Sequence, residues 1–202
     1  HGIALGLRSS APRLPQGVRV RPAGTADLDA YVAGYADFHA DFDLWPALDT
    51  ARLADWLVRS PIPGVRLSEL WVAEDERGIV LAGLGTSEVR KVSIVYVDAM
   101  PVVMRAINAV IRVVPAGGRM EQIAVDWMWF RAGAEAAAHA LFETVRWEAR
   151  NTGNVLLASF DRRSPLRRMV NAPFWLPQTQ FSLAIRSPEP IRPDRLIESV
   201  QG

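Results

Sequence analysis

A single mixed α/β domain, with a central sheet antiparallel in one half and parallel in the other, is the fold class this sequence predicts. Three observations lead to it. Residues 70–84 read as two apolar strands around a charged turn, which is an antiparallel hairpin. Residues 120–160 read as strand, helix, strand, and such a unit lays its two strands side by side and parallel. The chain has 202 residues, half of them hydrophobic and 22% charged, which suits one globular domain whose core needs neither disulfide nor metal.

The elements follow in order. Residues 1–16, with Ser9, Ser10, Pro12 and Pro15, read as a loose leader, and the His1 start is what a trimmed or tagged chain would show. Val18 to Arg21 alternates apolar and basic residues and stops at Pro22, as a short strand does. Thr25 caps a predicted helix to about His39, with Asp27 and Asp29 at its positive end and Leu28, Tyr31, Val32, Tyr35 and Phe38 on one face. A second helix is expected from Asp49 to about Val58, closed by Pro61 and Pro63. The hairpin strands Leu70–Ala73 and Ile79–Leu84 come next.

An extra helix is then predicted over Met100–Val114, between the third and fourth strands. Its apolar stripe is Met100, Val103, Met104, Ile107, Val110, Ile111 and Val114. Met120–Phe130 reads as a strand, Ala134 to about Asn151 as a helix rich in Ala and Glu, and Val155–Phe160 as a buried strand of the parallel kind. A short basic helix to about Val170 and a last strand, Phe181–Ile185, complete a domain over 17–187. Residues 188–202 read as a tail.

Composition also excludes. With 23 basic and 22 acidic residues the net charge is +1, so neither nucleic acid nor a membrane is an expected partner. There is no cysteine, hence no disulfide, thiolate metal site or cysteine nucleophile. The three histidines, His1, His39 and His139, are too few and too scattered for a multi-histidine metal site, and no metal is expected. The longest apolar run is broken by Arg105, Asn108 and Arg112 and is no membrane span. A cytoplasmic location fits this composition and is the expected one.

The element order over Val18–Ile185 resembles the GNAT superfamily of acyl-coenzyme A-dependent N-acyltransferases. The likeness is most specific in the strand Ile123–Phe130, the turn Arg131-Ala132-Gly133-Ala134-Glu135-Ala136 and the helix after it. The family carries an Arg/Gln-x-x-Gly-x-Gly/Ala turn here, whose backbone amides hold the coenzyme A pyrophosphate. The physics agrees, because a helix start presents unpaired N–H groups and a partial positive charge, and small residues let a ligand approach. Ala132 and Ala134 stand where glycines are usual, and Glu135 lies close to the anion position. A strand-to-helix turn of any α/β protein is the plainer meaning of the same residues.

The resemblance implies a GNAT-like fold with splayed strands and an acyl-CoA co-substrate, acetyl-CoA or a longer relative. Arg131, Ala132, Gly133 and Ala134 would hold its pyrophosphate. The backbone of Val125, Asp126, Trp127, Met128 and Trp129 would pair with the pantetheine arm and polarise the thioester. Arg162 and Arg167, from the basic cluster with Arg163 and Arg168, would meet its nucleotide end. A carboxylate on the strand, Asp126 or Glu121, would serve as general base for an amine acceptor, a small molecule or peptide. These two lie five residues apart, so strand alternation sends them to opposite faces. Tyr31, Tyr35 and Trp45 would line the acceptor cleft.

The family often places a tyrosine on the helix after the second parallel strand to protonate the thiolate. The corresponding residues here, Leu166, Arg167, Arg168, Met169 and Asn171, include none. The alternative is therefore a GNAT-like module that binds or assembles without catalysing. The extra helix would line a lipophilic pocket, pack on its own domain or join two copies as a homodimer.

Overall fold

The structure is a computed structural model describing residues 2–43, 45–111, 113–172, 178–179 and 196–197. Its strands and helices are β1 (Gly2–Gly6), β2 (Arg19–Pro22), α1 (Leu28–His39), β3 (Phe42–Asp43), α2 (Thr50–Val58), β4 (Ser68–Glu74) and β5 (Val80–Ser87). These are followed by β6 (Val95–Tyr96), α3 (Val102–Ile111), β7 (Arg119–Met120), β8 (Gln122–Phe130), α4 (Glu135–Glu148), β9 (Val155–Ser159), α5 (Leu166–Val170), β10 (Gln178–Thr179) and β11 (Leu196–Ile197).

Seven strands form one sheet in the order β10-β1-β9-β8-β5-β4-β2. Among the described residues only β8 and β9 are parallel neighbours in it; β4 and β5 form the expected antiparallel hairpin. The expected strand at 181–185 lies outside the described residues, as does all of the expected tail except Leu196 and Ile197, which pair with β3.

Two differences from expectation are informative. Gly2–Gly6, expected within the loose leader, is β1, paired antiparallel along the whole of β9. Its Ile3 and Leu5 are 4% and 5% exposed, because strand alternation sends both to the core. The extra helix α3 exists, but much of its apolar surface is uncovered. Val102, Val103 and Val110 are 72%, 70% and 77% exposed. Asn108 anchors the segment by bonding both the N–H and the carbonyl of Val114.

The sheet separates two cores. On one face α4 buries Ala138, Leu141, Phe142 and Val145 against Ala82, Leu84, Val125 and Leu156, joined by Leu166 and Met169 of α5. On the other, α1 and α2 set Leu28, Tyr31, Tyr35 and Leu53 against Leu70, Val72 and Trp129. Full burial of one such leucine contributes about 2 kcal/mol. Helix ends follow local chemistry. Asp49 caps α2 by accepting from the Arg52 N–H at 2.7 Å, and Asn171, at φ 45°, closes α5 in the left-handed region that asparagine tolerates.

An Arg21 fork fixes the start of α1. It donates to Asp27 at 2.7 and 2.8 Å and to Glu74 at 2.7 and 3.0 Å. These bonds raise the arginine above its ordinary range, and the bond from Arg21 holds the Asp27 carboxyl below its own.

Candidate acyl-donor site

The parallel pair is closed at one end and open at the other. β8 and β9 run in register from Gln122 opposite Val155 to Val125 opposite Ala158. β9 ends at Ser159 while β8 continues to Phe130. Beyond Val125, β8 therefore has β5 on one side and no strand on the other among the described residues. Extended backbone with an unpaired edge is what an extended ligand arm needs. Val125 itself, expected among the pantetheine contacts, lies in the closed part, between Ala158 and Thr86.

Where the pair opens, β8 bulges. Gly83 faces Trp129 and Gly85 faces Asp126, so Trp127 and Met128 together oppose Leu84. Trp127 adopts φ 54°, a conformation that a bulky side chain avoids by about 1–3 kcal/mol and that must be held by its surroundings. Tyr31 of α1 supplies one restraint: its hydroxyl donates to the Trp127 carbonyl at 2.7 Å. Burial pushes this phenol well above its usual pKa, with Tyr35 and Asp126 adding to the effect, so it remains a donor.

Tyr31 and Tyr35 are 0% and 1% exposed. They are core residues and not the walls of an open acceptor cleft, because the α1 face that carries them packs directly on β5 and β8. Tyr31 meets Trp129 edge-on, with ring centroids 5.5 Å apart. Tyr35 meets His39 and Trp45 at a tilt and Trp127 edge-on. Trp45 is half-buried beside them.

The two candidate bases are placed far apart. Asp126 stands at the bulge, half-buried, and accepts from the Ser87 hydroxyl of β5 at 3.0 Å. Glu121 precedes β8 at the closed end of the pair. Its backbone is held by Asn154, and its carboxylate pairs with Arg119 at 3.1 Å. Only Asp126 is beside the opening. Ser87 was not foreseen, since nothing in a hairpin sequence marks which serine will face a strand far along the chain.

The strand-to-helix turn lies at the open end. Two of its N–H groups are used: Arg131 donates to the Leu81 carbonyl and Ala134 to the Arg131 carbonyl. The N–H groups of Ala132, Gly133, Glu135 and Ala136 make no backbone bond among the described residues. Gly133 sits at φ 80° with open space around the position of a Cβ. No side chain caps α4 at Ala134.

Glu135 is drawn to the side, where its carboxylate meets Arg168 of α5 at 3.0 Å. The ion pair offsets the negative charge that would otherwise oppose an anion at the helix start. Arg131 uses its Nε to hold the Val80 carbonyl at 2.7 Å, which makes it a strut of the turn. Arg162 and Arg167 are exposed beside this end, and neither forms an ion pair among the described residues. No group of acidic, histidine or cysteine side chains that could hold a metal occurs among the described residues.

No family model matches the sequence, and no curated protein matches it. Solved structures do match. One is N-myristoyltransferase of Saccharomyces cerevisiae with bound myristoyl-CoA, at TM-score 0.51 and 11% identity, over 81% of this chain and 36% of that one. The same enzyme with myristoyl-CoA and inhibitors gives TM-score 0.52 and 11% identity over 84% and 44%. The chain thus spans less than half the length of these enzymes. At such identity the likeness establishes the fold alone, and that fold is the GNAT-like one.

Proposed function

We propose that the protein is an acyl-CoA-dependent N-acyltransferase, with transfer of an acetyl group to an amine as its chemistry. The observation that carries this reading is the coincidence, at one end of the sheet, of three features. These are a parallel pair that opens, a bulge at Trp127–Met128, and a helix start with uncommitted amides.

An acyl-CoA laid along this end would meet each in turn. Ala132, Gly133 and the first N–H groups of α4 receive the pyrophosphate, with Arg162 and Arg167 toward the nucleotide. The free edge of residues 127–129 takes the pantetheine arm as an added strand. The bulge meets the thioester carbonyl, whose oxygen gains negative charge as the amine attacks. Asp126, oriented by Ser87, accepts the amine proton directly or through water, and the thiolate leaves without a tyrosine donor. The acceptor is a small-molecule or peptide amine. One feature favours the non-catalytic alternative: Glu135 stands in the first turn of the helix that would receive the phosphates.

The test is calorimetric titration of acetyl-CoA into the wild type and into Ala132→Glu. Position 132 is exposed, so the new carboxylate leaves the fold intact and repels a phosphate. Micromolar binding by the wild type, weakened at least tenfold in the variant, supports the reading. A folded wild type that takes up no acetyl-CoA at millimolar concentration discards it in favour of the binding module.

A further inference from the structure

The helix α3 is attached by the wrong side for a helix of a single domain. Val103, Ala106 and Val110 stand at i, i+3 and i+7, on one line along the helix, and all three are exposed. Its polar residues Arg105 and Asn108 lie roughly 150° around the helix from both valines. Asn108 is the side chain that ties the helix down, through both backbone groups of Val114. The polar side is therefore the anchored one, and the apolar line points away from the anchor. Among the described residues no helix or strand packs extensively on α3.

We propose that this line is an interface between two copies of the chain, with α3 packed antiparallel on α3 of a second copy about a two-fold axis near Ala106. The pattern is its own complement. A two-fold contact requires that residue i meet residue j and that j meet i. With the axis near Ala106, Val103 meets Val110 of the second copy and Val110 meets its Val103, while the small Ala106 between them lets the helices approach. Charge agrees, because Arg105 is turned to the far side and no like charges are trapped in the contact. Area agrees as well. The large apolar side chains exposed over residues 92–110 amount to on the order of 700 Å², near the ~800 Å² that each partner buries in a standard-size interface. A lipid surface suits the face less: α3 has no aromatic residue, and its one charged residue sits opposite the apolar line and not beside it. A pocket for a lipophilic acyl group needs a concave wall, which an exposed helix side does not offer.

The experiment is sedimentation velocity from about 1 to 100 μM, where an interface of this area is expected to give a dimer with a micromolar or tighter Kd. Val103→Glu/Val110→Glu, which places carboxylates on both sides of the seam, is expected to weaken the dimer at least tenfold. Val103→Glu/Val110→Lys is expected to keep it, since antiparallel pairing sets each new carboxylate against a new ammonium. The chain has no cysteine, so an introduced one forms a disulfide only between copies. Oxidation of Ala106→Cys is expected to cross-link at least tenfold faster than that of Arg105→Cys, on the far side of the helix. This pair perturbs packing little and decides alone if a charged variant misfolds.

A wild type that stays monomeric at 100 μM overturns the proposal. If that monomer floats with vesicles containing anionic lipid, and the double glutamate variant does not, the face belongs to a lipid surface instead. A dimer that survives the double glutamate change, or cross-links equally at both cysteine positions, is built elsewhere and also overturns it. Loss of the dimer in Val103→Glu/Val110→Lys removes the antiparallel register.

Discussion

Gly83 and Gly133 lie in neighbouring parts of the chain's candidate site, and they are small for opposite reasons. At Gly83 a Cβ would lie 2.3 Å from the Tyr31 ring and 2.5 Å from the Trp129 indole nitrogen; at Gly133 it would meet nothing within 4 Å. The first belongs to a region packed solid between α1 and the sheet. The second belongs to a turn whose glycine is required by a φ of 80° and whose surroundings are empty. The contrast separates a scaffold that holds a strained bulge from a mouth left open at the helix start. Rigidity behind a site and space in front of it are what pre-organised binding requires.

Substitutions can break or sharpen this contrast. The largest effect is expected from Gly83→Ala, which over-packs the scaffold and should cost about 3 kcal/mol in urea unfolding. Gly34→Ala sharpens the point by its sign. Alanine normally stabilises a helix interior by about 1 kcal/mol. Here its Cβ would be 2.1 Å from the Trp129 ring, so a loss is expected. A gain would show that α1 can lift from the sheet.

The Arg21 fork comes next. Asp27→Asn should remove about 1–3 kcal/mol at neutral pH, read as a lower midpoint. The Asp27 pKa is lowered in the fold, so its contribution is full above the ordinary carboxylate value and disappears as pH falls through the folded value. The variant should therefore lose less stability on acidification below about pH 4 than the wild type does. Identical acid curves would exclude the fork as a source of acid sensitivity.

Smaller again is Gly133→Ala, which meets no clash but adopts an unfavourable φ, at about 1 kcal/mol. The smallest stability change belongs to Ala132→Glu, expected within about 0.5 kcal/mol. Its effect should appear in acyl-CoA affinity alone. If Ala132→Glu instead unfolds the protein, the turn is part of the scaffold and the contrast collapses.

Much of this was legible from residue order. Periodicity placed α1, α2, α4 and the β4–β5 hairpin within a few residues, because each buries one face and that requirement is written locally. The small residues after Phe130 marked the turn, and the strand–helix–strand pattern fixed β8 and β9 as parallel neighbours. β1 was missed, because Gly2-Ile3-Ala4-Leu5-Gly6 has only two large apolar residues and becomes a strand by covering the free edge of β9. Tyr31 and Tyr35 were placed at a cleft because aromatic residues on a helix face look alike whether they meet substrate or core; only the α1 packing against Trp129 distinguishes them. Asp126 and Glu121 were equivalent on paper and are unequal in space.

By itself, then, the sequence determined the class of fold, the order of its elements and the turn that opens α4, since these depend on local propensity and alternation. The tertiary structure alone decided where β8 and β9 part, that β8 bulges at Trp127, that Tyr31 reaches across 96 positions to hold that carbonyl, and that Ser87 meets Asp126. These depend on register between distant strands, and a shift of one residue would turn every side chain to the other face.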